Sequence, residues 1–162
     1  MILYDYTATR ERAGPEKFLR SYRGYLQADA YGGYDAFFKD PARGLIEVGC
    51  WAHARRYFHK ALESDQPRMG PALLLIAQLY RMEKQARPLT AEDRLGLRQL
   101  QSQPILEKLH NYLSEIQAEV LPKSPEGRAV RYTLKNWAAL ARYCEDGISK
   151  STTTPPSARS AA

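Results

Sequence analysis

The grammar of the chain changes once, near residue 65, and that change limits its fold more than any other feature. Before it, short strand-like runs alternate with helical ones, the pattern of a mixed α/β sheet. After it, strand signals disappear and helical segments follow one another. In the first half, residues 2–9, 24–28 and 45–50 read as strands. Pro15 and Glu16 suit a first helical turn, which predicts a helix through Tyr22. Gly32-Gly33 breaks the second strand, and residues 34–38 form a short helix ended by Asp40-Pro41. From 52 to 63, Ala54, Tyr57, Phe58, Ala61 and Leu62 recur at helical spacing, with Arg55, Arg56, His59 and Lys60 on the other face.

In the second half, Leu73, Leu74, Ile76, Ala77, Leu79, Tyr80 and Met82 make one broadly apolar helix, expected to be largely buried. Thr90-Ala91-Glu92-Asp93 has the form of a capping box, and Pro104 is expected to end the helix it opens. Leu106, Leu109, Leu113 and Ile116 keep register in the next helix. Ser124-Pro125-Glu126 then starts a last helix expected to run to about Cys144, with Val130, Leu134, Trp137, Leu140 and Ala141 as its stripe. The Ser, Thr, Pro and Ala of 149–162 cannot bury a core and predict disorder.

Composition narrows the class. A net charge of +6 favours contact with polyanions, though charge alone is a modest signal. The cysteines, Cys50 and Cys144, are too few for a disulfide framework. The longest purely apolar run, 72–77, is far too short for a membrane span, and no leader-like segment opens the sequence, so no membrane partner and a cytoplasmic setting are expected.

The strongest feature is the block Gly24-Tyr25-Leu26-Gln27-Ala28-Asp29-Ala30-Tyr31-Gly32-Gly33-Tyr34-Asp35, followed by Val48-Gly49-Cys50-Trp51-Ala52-His53-Ala54-Arg55-Arg56. In this order the blocks resemble the central catalytic domain of insertion sequence 66 family transposases, which reads G-x-L-Q-x-D-x-Y-x-G-Y and then C-W-A-H-x-R-R. The likeness extends over about residues 4–147. It implies an α/β fold: a partial ribonuclease-H-like mixed sheet of about three strands with helices, followed by an all-helical second half. The regions would be an α/β core at 1–65, a helical part of the same domain at 66–147, and a tail at 148–162. Function would be metal-dependent phosphoryl transfer in DNA transposition. The implied cofactor is Mg²⁺ or Mn²⁺, and the implied partners are the DNA of transposon ends and full-length transposase.

By this resemblance Asp29 is the second of three metal-binding acids. A strand-end carboxylate is a hard oxygen ligand able to bridge two divalent ions that stabilise attacking and leaving oxygens together. Composition alone would read Asp29 as an ordinary turn-capping carboxylate. Asp35 is assigned no metal. Arg55, Arg56 and Lys60 are candidate DNA contacts, or else a solvated helix face; Lys17, Arg20 and Arg23 read as solvated. Tyr31 and Tyr34 are near enough to Asp29 in sequence to contact DNA, whereas Tyr80 and Trp137 read as core. Cys50 and His53 form a C-x-x-H pair, but a structural zinc site needs four ligands, so they read as structural residues near the site.

The sequence departs from the family pattern at both ends. The first acid belongs upstream of the segment matching Tyr4-Asp5-Tyr6-Thr7, so Asp5 is not it. The third is the Glu of a D-N-N-x-x-E-R motif following a segment like 143–147, where this chain reads Ser151-Thr152-Thr153-Thr154-Pro155-Pro156-Ser157-Ala158-Arg159. Codons for that run, read one frame away, permit D-N-N-A-A-E-R, which predicts a frameshift near Gly147. The expectation is a chain truncated at both ends that holds metal weakly and is inactive alone. The alternatives are a non-catalytic module that binds DNA or transposase, or a transposon remnant without function.

Overall fold

The computed structural model describes residues 19–28 and 35–148. Two parallel strands, β1 (Gly24–Ala28) and β2 (Leu45–Gly49), pair in register from Gly24 opposite Leu45 to Ala28 opposite Gly49. Parallel pairing needs a crossover of a dozen or more residues. The described part of that crossover holds α1 (Asp35–Phe38) and a 3-10 turn at Pro41–Arg43. Asp40 opens the turn, its Oδ1 accepting from the Ala42 N–H at 3.0 Å. The strand expected at 2–9 lies outside the described residues. Where the helix from Pro15 was expected to finish, residues 19–21 form a turn, with the Tyr22 N–H donating to the Leu19 carbonyl.

Everything after β2 is helical among the described residues: α2 (Trp51–Ala61), α3 (Gln66–Ala86), α4 (Ala91–Leu97), α5 (Gln103–Ile116), α6 (Pro125–Lys135) and α7 (Trp137–Ala141). Short polar residues set several starts. Asp65 accepts from the Arg68 N–H, Thr90 from the Asp93 N–H and Ser124 from the Gly127 N–H, each satisfying a donor the first helical turn leaves free. Cys50 is the N-cap of α2 rather than the last strand residue.

Three expectations are corrected. Pro104 does not end a helix: α4 passes through a π-helical turn, Arg98–Ser102, directly into α5. There the Gln103 N–H reaches back five residues to the Arg98 carbonyl, so the ladder shifts register where the Pro104 N–H is missing. The last helix stops at Lys135, because Asn136 adopts φ −100°, ψ 15° and its side-chain amide takes the Tyr132 carbonyl at 2.7 Å. α7 and a 3-10 turn at Arg142–Cys144 complete the run. On α3, Leu74 is 66% exposed, so that helix is less fully buried than its composition implies.

One core joins the halves. Val48 of β2 and Trp51, Ala54, Phe58 and Ala61 of α2 pack in the same cluster as Met69, Ile76 and Leu79 of α3, Leu109 and Leu113 of α5, Val130 of α6 and Leu140 of α7. No helix among the described residues is long and apolar enough to cross a membrane.

Candidate functional site

Because β1 and β2 run parallel, their carboxyl ends lie together, and in open α/β sheets ligands bind outside those ends. Ala28, the last residue of β1, is bonded to Asp29; Gly49, its partner in register, leads through Cys50 into α2. Asp29, Tyr31 and Tyr34 lie outside the described residues. Cys50 is buried at the strand-to-helix junction, and His53 is half-buried in the first turn of α2. Among the described residues no group of three or more His, Cys, Asp or Glu side chains could hold a metal ion.

The junction is fixed from behind by the end of the helical half. The fully buried Trp51 donates from Nε1 to the Leu140 carbonyl at 2.9 Å and meets Trp137 edge-to-face, ring centroids 6.0 Å apart. A Cβ at Gly49 would stand 3.0 Å from the Leu140 backbone nitrogen and 2.9 Å from its Cδ2, so only glycine lets α7 approach the strand this closely. Arg142 donates to the Glu47 carbonyl of β2. The helical excursion thus leaves the sheet at α2 and returns to the same strand.

Residues 143–147, which complete that return, are clamped from the other side by two arginines. Arg98, 1% exposed, makes a two-bond pair with Glu83, Nε to Oε1 at 2.8 Å and Nη2 to Oε2 at 2.7 Å. Its Nη1 donates to the Tyr143 and Asp146 carbonyls at 2.9 and 2.7 Å, and its guanidinium lies over the Tyr143 ring. Arg94 donates from Nη1 to the Gly147 carbonyl at 2.7 Å. A Cβ on Gly147 would fall 1.8 Å from the Ala91 carbonyl oxygen, so no other residue fits there. Burial raises the Tyr143 phenol well above its ordinary range and pushes the Cys144 thiol up to about 11. Both stay protonated at neutral pH, and Cys144 is no ready nucleophile.

The expected DNA contacts on α2 divide. Arg55 sits over the Tyr80 ring of α3, 5.9 Å from its centroid. Burial, foremost, pushes the Tyr80 phenol up to about 12, so the ring is neutral and the contact is cation–π. Arg56 and Lys60 are exposed on the opposite flank, beside Tyr57, whose ring stacks on Tyr132 of α6 with centroids 4.6 Å apart. Arg20 and Arg23 are exposed, and Arg23 Nη1 donates to the Tyr22 carbonyl at 3.0 Å; Lys17 lies outside the described residues.

The family model for the Transposase IS66 family matches residues 1–153. The chain belongs to that family. It is 30% identical over 149 residues to the uncharacterized protein y4jD of Sinorhizobium fredii, covering 89% of this chain and 29% of that protein. It is 32% identical over 159 residues to the uncharacterized protein y4hP of the same organism, covering 88% and 29% respectively. The chain therefore spans less than a third of the length of these curated relatives. No solved structure matches. In this IS66 family chain, the C-W-A-H-x-R-R block holds residues of unlike roles: Trp51 and Ala54 belong to the core, while Arg55 and Arg56 are both exposed, Arg55 over the Tyr80 ring of α3.

Sequence reasoning missed Glu83, Arg94 and Arg98. They look like ordinary helical charges, but the two arginines hold carbonyls roughly fifty residues downstream and Glu83 orients Arg98. Gly147, placed next to acids in an otherwise helical run, was the one local signal of a tight contact.

Proposed function

We propose that this chain is part of the ribonuclease-H-like core of a DNA transposase, the part that brings the second metal-binding acid, Asp29, to the carboxyl ends of the parallel strands. The observation that supports the reading is the parallel pairing that ends with Ala28 opposite Gly49: Asp29 follows Ala28 in the sequence, and α2 with the family block follows Gly49. The intact family's chemistry would be phosphoryl transfer at DNA, with Mg²⁺ or Mn²⁺ stabilising the attacking and leaving oxygens. The described residues alone do not fit such a centre. Asp29 would need acids from elsewhere, and one carboxylate holds two cations poorly. Arg56 and Lys60, with Tyr31 and Tyr34, would contact the DNA backbone; Arg55 would support it from the α2–α3 side.

These 162 residues alone should leave duplex DNA uncut with either metal. Embedded in a polypeptide of the relatives' length, they should support metal-dependent strand cleavage that Asp29→Asn abolishes. Cleavage surviving that substitution would end the metal-ligand reading.

A second reading, a non-catalytic module that binds DNA or full-length transposase, is favoured by the single core that joins β2 and α2 to the later helices, a scaffold independent of any metal. Binding of transposon-end DNA by a polypeptide of the relatives' length that cuts no DNA with Mg²⁺ or Mn²⁺ would support it over catalysis.

A further inference from the structure

The packing of α6 on α2 assembles a surface that neither helix has alone. Tyr57 and Tyr132 stack across the seam, 30° from coplanar. By helical spacing, Arg56 and Lys60 neighbour each other on α2 and Lys60 also neighbours Tyr57, while Arg128 and Lys135 lie on either side of Tyr132 on α6. All four are exposed, and among the described residues none is ion-paired. α2 has no acidic residue, and the single acid of α6, Glu126, is buried against Ser64. α5, by contrast, interleaves Lys108 with Glu107 and Glu115, as an ordinary solvated helix does.

Glu126 lies near Arg128 and the exposed Glu63 follows α2, so the strip is partly compensated, but its cations outnumber these acids and leave a net positive face that attracts polyanions. Packed helices lie about 8–10 Å apart, so its charges spread over several phosphates rather than converging on one. Tyr57 and Tyr132 each spend one ring face on the other, and the cations around them are point charges suited to phosphates, which favours backbone contact. We infer that the α2–α6 face docks the phosphate backbone of double-stranded DNA. The choice of DNA as the polyanion rests on the transposase reading above; the face itself rests on charge and packing.

The test is fluorescence anisotropy of the full 162-residue chain with a short labelled random-sequence duplex over a salt series. Each lost phosphate contact lowers the salt slope by about 0.9. Arg128→Gln with Lys135→Gln, and separately Arg56→Gln with Lys60→Gln, should each weaken binding and reduce the slope by about two. The charge-matched control, Lys84→Gln with Lys108→Gln on α3 and α5, should leave the slope near the parent's. Equal losses in all three would mean diffuse attraction and overturn the inference, as would displacement by polyglutamate as effective as by unlabelled duplex. Parent-like binding in both face variants would also overturn it while leaving DNA binding by this family chain intact. No salt-dependent binding by the parent would remove the face and the DNA-binding reading together.

Discussion

Arg98 shows how much one side chain can tie together. Its guanidinium meets a carboxylate on α3, two carbonyls of the returning segment and an aromatic ring. With 2% of the Arg98 side chain and 17% of that of Glu83 exposed, neither charge is well solvated in this pair. Removing one partner of a buried pair costs far more than the pair contributes, because the other charge is left without compensation. Arg98→Ala should therefore destabilise the chain by about 3 kcal/mol, seen as a lower urea midpoint. Glu83→Gln should cost less, since the guanidinium keeps both carbonyls. An Arg98→Ala midpoint close to the parent's would mean that the clamp adds little. None of this was legible in the sequence. Arg98 sits in a helical run like any solvated arginine, and only tertiary contact with residues 143–146 distinguishes it.

At the scale of elements, legibility followed the range of the forces involved. β1, β2 and α2 could be read because their patterns are local, and so could the starts of α4 and α6, where Thr90 and Ser124 cap within three residues. Pro104 misled because the chain absorbs its missing N–H with a π turn instead of stopping. The basic face was half visible: Arg56 and Lys60 stood out on α2, but only packing brings Arg128 and Lys135 beside them. The start of α6 also carries a pH dependence. Hydrogen bonds from Ser124, first, and then Ser64 hold the Glu126 carboxyl below its ordinary value. A depressed carboxyl adds stability that is present above its unfolded pKa and is lost as pH falls through the lower folded value. Thermal stability should thus decline below about pH 4.5 as Glu126 takes up a proton. Glu126→Gln should lower stability by about 1 kcal/mol at neutral pH and flatten the acid limb of the melting profile. A variant with the parent's acid limb would assign that limb to other carboxyls.

For the whole molecule, the decisive feature is that the change of grammar near residue 65 is not a boundary in the core. Phe58 and Ala61 of α2 are fully buried in the same cluster as Ile76, Leu113 and Val130. Trp51 is hydrogen-bonded to Leu140, eighty-nine residues later. The helical excursion therefore depends on the strand–helix unit for one wall of its interior, and that unit depends on α7 and Arg142 to hold β2 in place. Residues 66–148 expressed alone would lose Trp51 and Phe58, whose burial contributes roughly 2–3 kcal/mol each, and would expose the apolar partners as well. Net stabilities of ordinary domains are only about 5–15 kcal/mol, so the excised segment should keep helical signal without a fixed core. Its far-ultraviolet circular dichroism should melt broadly, and it should bind a hydrophobic dye that the full chain does not. A sharp, cooperative transition from the excised segment would show instead that the helices fold as a unit of their own. The carboxyl ends of β1 and β2 would then be carried by a separate body, and Arg98 and Arg94 would hold the return segment without reference to the sheet.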